Sequence, residues 1–205
     1  MRKKMRKKTD NSVGGLQRKV ELRRYFLQKY HTKKLPKVLD CCQGEGLVWK
    51  EIRKEFELGS YWGVDIKKKK GRLKLESERI LQQSGWDEDV IDVDTYGSPL
   101  KHYESMLPNV TKPMTVFLTF GFNVGFDGIS IKLPTIALEA IGFGRLVRRI
   151  PTSFHIHLWE LSMRYSLFRC RAFGLKMVEI GMVKAGMGNN SRYVGLRLQP
   201  KETRR

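Results

Sequence analysis

A chain of 205 residues with 40% hydrophobic content is long enough for one domain with a sizeable core and too short for two full ones. Forty Lys and Arg stand against 21 Asp and Glu, a net charge of +19; the first eight residues carry six of those positive charges, which leaves +13 in the body and calls for a polyanionic partner, nucleic acid before an anionic surface. No apolar run approaches the roughly 20 residues of a membrane span, and the polar TDNSVGG after MRKKMRKK is not the apolar stretch of a secretion signal, so a cytoplasmic protein is expected. Cys41, Cys42 and Cys170 include no CxxC pair, so they are expected as free thiols in a reducing compartment, with no metal site.

Along the chain, residues 1–12 read as a disordered basic arm, 13–200 as one domain and 201–205 as a basic tail. A helix is predicted over Gly15–Tyr30, with Leu16, Val20, Leu27 and Tyr30 near one face and Arg18, Lys19, Arg23 and Arg24 mostly elsewhere. KVLDCC (Lys37–Cys42) reads as a strand, QGEG as a turn, Leu47–Phe56 as a helix and YWGVDI (Tyr61–Ile66) as a second strand, a βαβ unit with parallel strands. A basic loop (Lys67–Lys74) leads to a short strand near Leu73–Leu75, a helix over Ser77–Ser84 and a strand over Asp89–Asp94. Ser98 can cap a helix with Pro99 at its first position, running to about Leu107. Met114–Phe120 is a fifth strand, Thr135–Arg149 a helix weakened by glycines, and a further helix capped by Thr152 or Ser153 ends near Gly174. That helix would bury Phe154, Leu158, Leu161, Tyr165 and Phe168; His155, His157 and Glu160 do not share a face and make a poor metal set. Lys176–Val183 and Arg192–Leu198 pair as an antiparallel hairpin. The fold class is α/β: a three-layer sandwich on a mostly parallel sheet with a C-terminal antiparallel hairpin.

Asp40-Cys41-Cys42-Gln43-Gly44-Glu45-Gly46 sets D-x-x-x-G-x-G directly after a strand. Gly44 and Gly46 allow a tight turn and close approach of backbone to a ligand. Trp49 stands where a dinucleotide fingerprint needs its third glycine, and Glu45 would repel a pyrophosphate. Asp65, nineteen residues after Gly46, is placed to accept hydrogen bonds from ribose hydroxyls. A nucleoside with a cationic, phosphate-free tail meets these demands, and S-adenosyl-L-methionine fits; a nicotinamide nucleotide or a ligand-free fold are the alternatives. VLDCCQGEG with YWGVDI resembles the first two motifs of the Rossmann-like (class I) S-adenosylmethionine-dependent methyltransferases, over roughly Lys37–Phe120. The resemblance implies a cofactor site of Asp40, Cys42, Gly44, Gly46, Asp65 and Ile66; one of Cys41 and Cys42 should be core and the other should line the site.

In that family the end of the fourth strand faces the methyl acceptor. Asp94-Thr95-Tyr96-Gly97-Ser98-Pro99 resembles the Asp-Pro-Phe-Gly-Ser-Pro motif of tRNA methyltransferases that dimethylate a guanine exocyclic amine, with Thr95 where proline is expected and without that family's long additional C-terminal domain. The resemblance implies Asp94 as acceptor of the amine hydrogens, Tyr96 as a stacking ring and Ser98 as a substrate contact. The alternative for Asp94 is a helix cap, in which case it serves architecture; if it is not a cap, its loss should cost no more than about 1 kcal/mol of stability. Asp92 either is buried and paired or helps orient Asp94. Basic clusters lie at Arg18–Arg24, Lys67–Lys74, Arg145–Arg149 and Lys201–Arg205, and Lys67, Lys68, Lys69 and Lys70 are placed for phosphate contact. The expected activity is methylation of a nucleic-acid base at an exocyclic amine, RNA before DNA. Its rivals are a nucleic-acid-binding protein that has lost catalysis and an enzyme with a protein or small-molecule acceptor.

Overall fold

The computed structural model describes residues 13–67, 73–95, 97–121, 157–185 and 191–201. The predicted helix Thr135–Arg149, the caps Thr152 and Ser153, Phe154, His155, Tyr96, Lys68–Lys70, the Arg145–Arg149 cluster and both terminal basic segments (all of 201–205 save Lys201) lie outside them.

Helix α1 (Val13–Tyr30) precedes strand β1 (Lys37–Cys41), helix α2 (Leu47–Ile52), β2 (Ser60–Asp65), β3 (Leu73–Lys74), α3 (Ser77–Gln82), β4 (Val90–Val93), α4 (Leu100–Met106) and β5 (Met114–Gly121). Helix α5 (Leu158–Ala172) and the strands β6 (Leu175–Ala185) and β7 (Ser191–Pro200) complete the described elements. The seven strands form one sheet in the order β3-β2-β1-β4-β5-β7-β6. The first five run parallel; β7 pairs antiparallel with β5, and β6 with β7. This is the three-layer sandwich with a terminal antiparallel hairpin that the alternation of strand and helix signals predicts.

The two-residue period of a strand divides the core in two. On β1, Val38 joins the layer under α1 and α2 with Phe26, Leu27, Val48, Trp49, Ile52, Val90 and Phe117. Leu39 and Cys41 face the layer under α3, α4 and α5 with Leu81, Ile91, Leu100, Tyr103, Met106 and Leu196. Helix α2 stops at Ile52, four residues before Phe56, because its last turn tightens: Lys54 N–H donates to Glu51 O (3.1 Å) and Glu55 N–H to Ile52 O (3.0 Å), three residues back rather than four. Pro99 occupies the cap rather than the first helical position of α4, and Leu100 N–H donates to Ser98 Oγ at 3.3 Å.

Helix α5 is rotated from its predicted face. Phe168 is 61% exposed and Leu161 half-buried, whereas Ser162, Tyr165, Ser166 and Cys170 are buried. The serines are small enough to bring α5 close to α4: Tyr103 OH donates to Ser166 O at 3.1 Å, and Ser166 Oγ to Ser162 O at 2.8 Å. A hydroxyl that back-bonds to its own helix is buried cheaply, which a hydropathy pattern does not register. Glu160 pairs with Arg164 at 2.6 Å. At the sheet's edge, β6 leaves Val178, Ile180 and Met182 exposed, with a register shift between Met177 and Glu179. Among the described residues no helix is long and apolar enough to cross a membrane.

Candidate cofactor and acceptor site

The turn from β1 to α2 is made of three alternate left-handed residues: Cys42 (φ 61°), Gly44 (φ 57°) and Gly46 (φ 66°). Two are glycines; the third is a cysteine held there at a cost of about 1–2 kcal/mol. Gln43 N–H donates to Val64 O (3.0 Å) and Gly46 N–H to Gln43 O (2.8 Å), which close the turn over the end of β2. There Asp65 accepts Gly44 N–H on Oδ2 (3.0 Å) and Lys67 N–H on Oδ1 (2.9 Å). Asp65, Gly44 and Gly46 are thus brought together, with Asp65 fixing the loop through the backbone. Ile66, next along, is 67% exposed, and Lys67 is exposed beside it.

Asp40 supports the loop from below. It is buried and accepts from Tyr61 OH (2.7 Å), whose oxygen in turn accepts from Gln43 Nε2 (2.9 Å). The Gln43 amide lies on Gly63 so closely that a Cβ there would be 2.2 Å from Gln43 Cδ. Gln43, Tyr61 and Gly63 are absent from the sequence-derived site. The glycine inside YWGVDI is the signal that could have found them, since a glycine within a strand marks close approach of another group. Burial, and then the charge of Asp92, push the Asp40 carboxyl well above the usual range.

Cys41 is fully buried, and Cys42 sits at the loop. Cys42 Sγ lies 3.5 Å from Ser77 Oγ and 4.0 Å from His102 Nε2, and those two are 3.0 Å apart. Burial raises the Cys42 thiol to about 11, which favours the protonated thiol at neutral pH.

Beyond the loop, the carboxylates of β4 meet α1. Lys19 and Arg23, expected mostly away from the packed face, are both fully buried. Four residues of helix rise about 6 Å, and two residues of strand about 6.6 Å. Lys19 and Arg23 therefore stand in step with Asp94 and Asp92. Arg23 donates from Nε to Asp92 Oδ2 and from NH2 to Oδ1, each at 2.7 Å, and Trp49 Nε1 adds a third bond to Oδ2 at 2.7 Å. Asp92 is thus buried and paired. Lys19 Nζ donates to Asp94 Oδ2 at 2.5 Å and lies 4.9 Å from the Tyr193 ring centroid. The reading of Asp94 as a helix cap is overturned: its side chain goes to Lys19, and the side-chain bond at the start of α4 is made by Ser98. Oδ1 of Asp94 accepts no hydrogen bond among the described residues.

Three carboxylates, Asp40, Asp92 and Asp94, therefore share one face with two cations. Nearby, the loop after β4 is tied to the end of β5 by Gly121 N–H donating to Gly97 O at 2.7 Å, and Gly97 has φ 91°. The hydroxyls of Thr95 and Thr119 are buried without a hydrogen-bond partner among the described residues. Register places Thr119 opposite Tyr193, the ring beneath Lys19.

No protein-family model matches the sequence, and a search of curated proteins returns no match. Solved structures do resemble it. Trm1 from Pyrococcus horikoshii, in complex with S-adenosyl-L-methionine, superposes with a TM-score of 0.54 at 15% identity, over 91% of this chain and 55% of that one. Magnesium protoporphyrin IX methyltransferase from Synechocystis PCC 6803, with bound SAH, gives 0.53 at 17% identity, over 90% and 83%. A protein provisionally described as a hemolysin, from Streptococcus thermophilus, gives 0.53 at 12% identity, over 97% and 70%. The chain has the fold of the Rossmann-like, class I S-adenosylmethionine-dependent methyltransferases.

Proposed function

We propose that this protein is an S-adenosyl-L-methionine-dependent methyltransferase that modifies a nucleic-acid base at an exocyclic amine, with RNA preferred to DNA. The observation that carries the reading is Asp94: a carboxylate at the carboxyl end of β4, beside the loop of left-handed residues, with one oxygen held by Lys19 and the other uncommitted. The cofactor fits the residues present. Asp65 stands at the carboxyl end of β2 against the glycine turn, the place for ribose hydroxyls, exposed Ile66 offers an apolar surface beside it for an adenine ring, and Gly44 and Gly46 admit close backbone approach. Asp40 contributes through Tyr61 and Gln43, and Cys42 lines the turn. When bound, S-adenosyl-L-methionine supplies a methyl group activated on a sulfonium.

The chain's own residues handle the acceptor. An exocyclic amine is a weak nucleophile because its lone pair is delocalised into the ring. Asp94 Oδ1 accepts one of its hydrogens, favours a more pyramidal nitrogen and takes the proton that the nitrogen gives up on methylation. Tyr96 stacks on the base, and Ser98 and Lys67–Lys70 contact the flanking sugar-phosphate chain. A net charge of +19 favours a polyanionic acceptor over a small molecule. Three free cysteines suit the cytoplasm, where such RNA is met.

The deciding experiment is transfer of a labelled methyl group from S-adenosyl-L-methionine to bulk RNA, DNA and protein, assayed side by side. Label in RNA, digested to an N-methylated base, is expected. RNA binding without label establishes the non-catalytic binding protein instead, and label in protein alone overturns the acceptor. Asp65→Ala should weaken cofactor binding by about 1–3 kcal/mol, measured by titration calorimetry; unchanged affinity removes Asp65 from the site.

A further inference from the structure

We infer that Lys19, on the helix that precedes the sheet, is a positioning residue of the acceptor site and sets the carboxylate of Asp94 for the amine. This rests on the reading of Asp94 above and deepens it.

The geometry is specific. The Lys19 side chain is 1% exposed and that of Asp94 is 19% exposed. A buried ammonium next to a partly open carboxylate is an asymmetric arrangement: the cation is sealed in, and the anion reaches the surface. Lysine is a point charge and engages one oxygen, whereas the planar fork of an arginine would engage both. Lys19 thereby fixes the carboxylate through Oδ2 and leaves Oδ1 open. The ammonium is itself held from behind by the Tyr193 ring on β7, and α1 is pinned along its length by Arg23 to Asp92, by Arg24 to Glu55 (2.6 Å) and by Lys29 to Glu179 (2.7 Å). The sealed Arg23–Asp92 pair ties α1 to β4 one turn from Lys19, which sets where the ammonium meets Asp94.

Asp94 shares its face with Asp92 and Asp40, and of the cations on α1, Arg23 is committed to both oxygens of Asp92, which leaves Lys19 to hold Asp94. Lys19 is too deeply buried to touch the acceptor, so its effect passes through Asp94.

The test is a double-mutant cycle in methyl transfer to bulk RNA, with Lys19→Met, Asp94→Asn and the two combined, each checked for cooperative thermal unfolding. Lys19→Met should lower apparent kcat by about 100-fold, the scale of a misplaced catalytic group, and leave KM for RNA and cofactor affinity within about twofold. In the Asp94→Asn background the same substitution should cost nothing further, because the group it serves is gone. Should Lys19→Met fail to fold, Lys19→Leu, which likewise removes the donor, takes its place with the same expectation. A kcat within twofold of the parent, or a loss that is as large in the Asp94→Asn background, overturns the inference. A parent chain that transfers no methyl group to RNA overturns the functional reading itself, and is distinguished by being seen before any variant is made.

Discussion

Arg23–Asp92 and Lys19–Asp94 join the same helix to the same strand one helical turn apart, and they are built differently. In the inner pair both side chains are sealed, at 1% and 2% exposure, and the carboxylate is saturated by the arginine fork and Trp49 Nε1. In the outer pair one oxygen is held, the other is open, and the carboxylate lies partly at the surface. The inner pair has nothing left to offer a ligand; its donors and acceptors cancel, and its worth is in fixing where α1 sits. The outer pair inherits that placement and keeps one acceptor in reserve. Buried charge is costly unless fully paired, so an incompletely used carboxylate beside a sealed one marks the place where chemistry is to be sought.

The largest effect should come from breaking the inner pair. Asp92→Ala strands the Arg23 guanidinium in the core and should cost about 3–5 kcal/mol in urea unfolding; a loss below about 1 kcal/mol would mean that the pair is not a sealed one. Replacing both partners, Arg23→Met with Asp92→Leu, should recover part of that loss and stay about 1–3 kcal/mol below the parent, because Trp49 Nε1 still lacks its acceptor. Asp94→Ala sharpens the contrast. It leaves the Lys19 ammonium buried without its carboxylate, so it should cost about 2 kcal/mol, more than the 1 kcal/mol expected of a surface carboxylate and less than Asp92→Ala, since water reaches the vacated position. Turnover should fall about 100-fold or more with cofactor affinity nearly unchanged; equal stability losses for Asp92→Ala and Asp94→Ala would erase the distinction.

The smallest effect concerns Asp40, the carboxylate of this face without a cation in contact. Its folded pKa is raised, so its contribution to stability is fully present below the unfolded value of about 3.9 and is lost as pH rises through the folded value. Asp40→Asn, which keeps an acceptor for Tyr61 OH, should therefore have a higher urea midpoint than the parent at pH 7, and the two midpoints should converge as pH falls toward 4. Identical midpoints at pH 7 would mean that Asp40 ionises freely in the fold.

The sheet was legible because β1, β2, β4 and β5 are short apolar runs between turn formers, and the strand boundaries moved by only one or two residues. Gly44, Gly46 and Asp65 were legible because a glycine turn and a carboxylate at that spacing carry a geometric demand. Lys19 and Arg23 were not: a basic residue on a helix reads as solvated unless its partner is known. The partner was in view, since Asp92 and Asp94 at i and i+2 match the rise between Lys19 and Arg23 at i and i+4, and that commensurate spacing is a signal a sequence can carry. Cys42 gave no sign of its left-handed backbone, because cysteine has no preference that marks it. The face of α5 was misjudged because Ser162 and Ser166 count as polar, although each is buried and Ser166 satisfies its hydroxyl within its own helix.

The last strand but one has a consequence for solubility. β6 is an eleven-residue edge whose Val178, Ile180 and Met182 are exposed, the profile of a strand that recruits a second copy of itself. An antiparallel pairing about Ile180 would set Val178 against Met182 favourably, but it would also set Lys176 directly opposite Lys184, and the register shift beside Val178 twists the edge where the ladder would begin. Two lysines, one at either end of an apolar stretch, thus act as gatekeepers against self-templated aggregation, and the protein's positive charge keeps its own molecules apart at the strand where they would otherwise adhere.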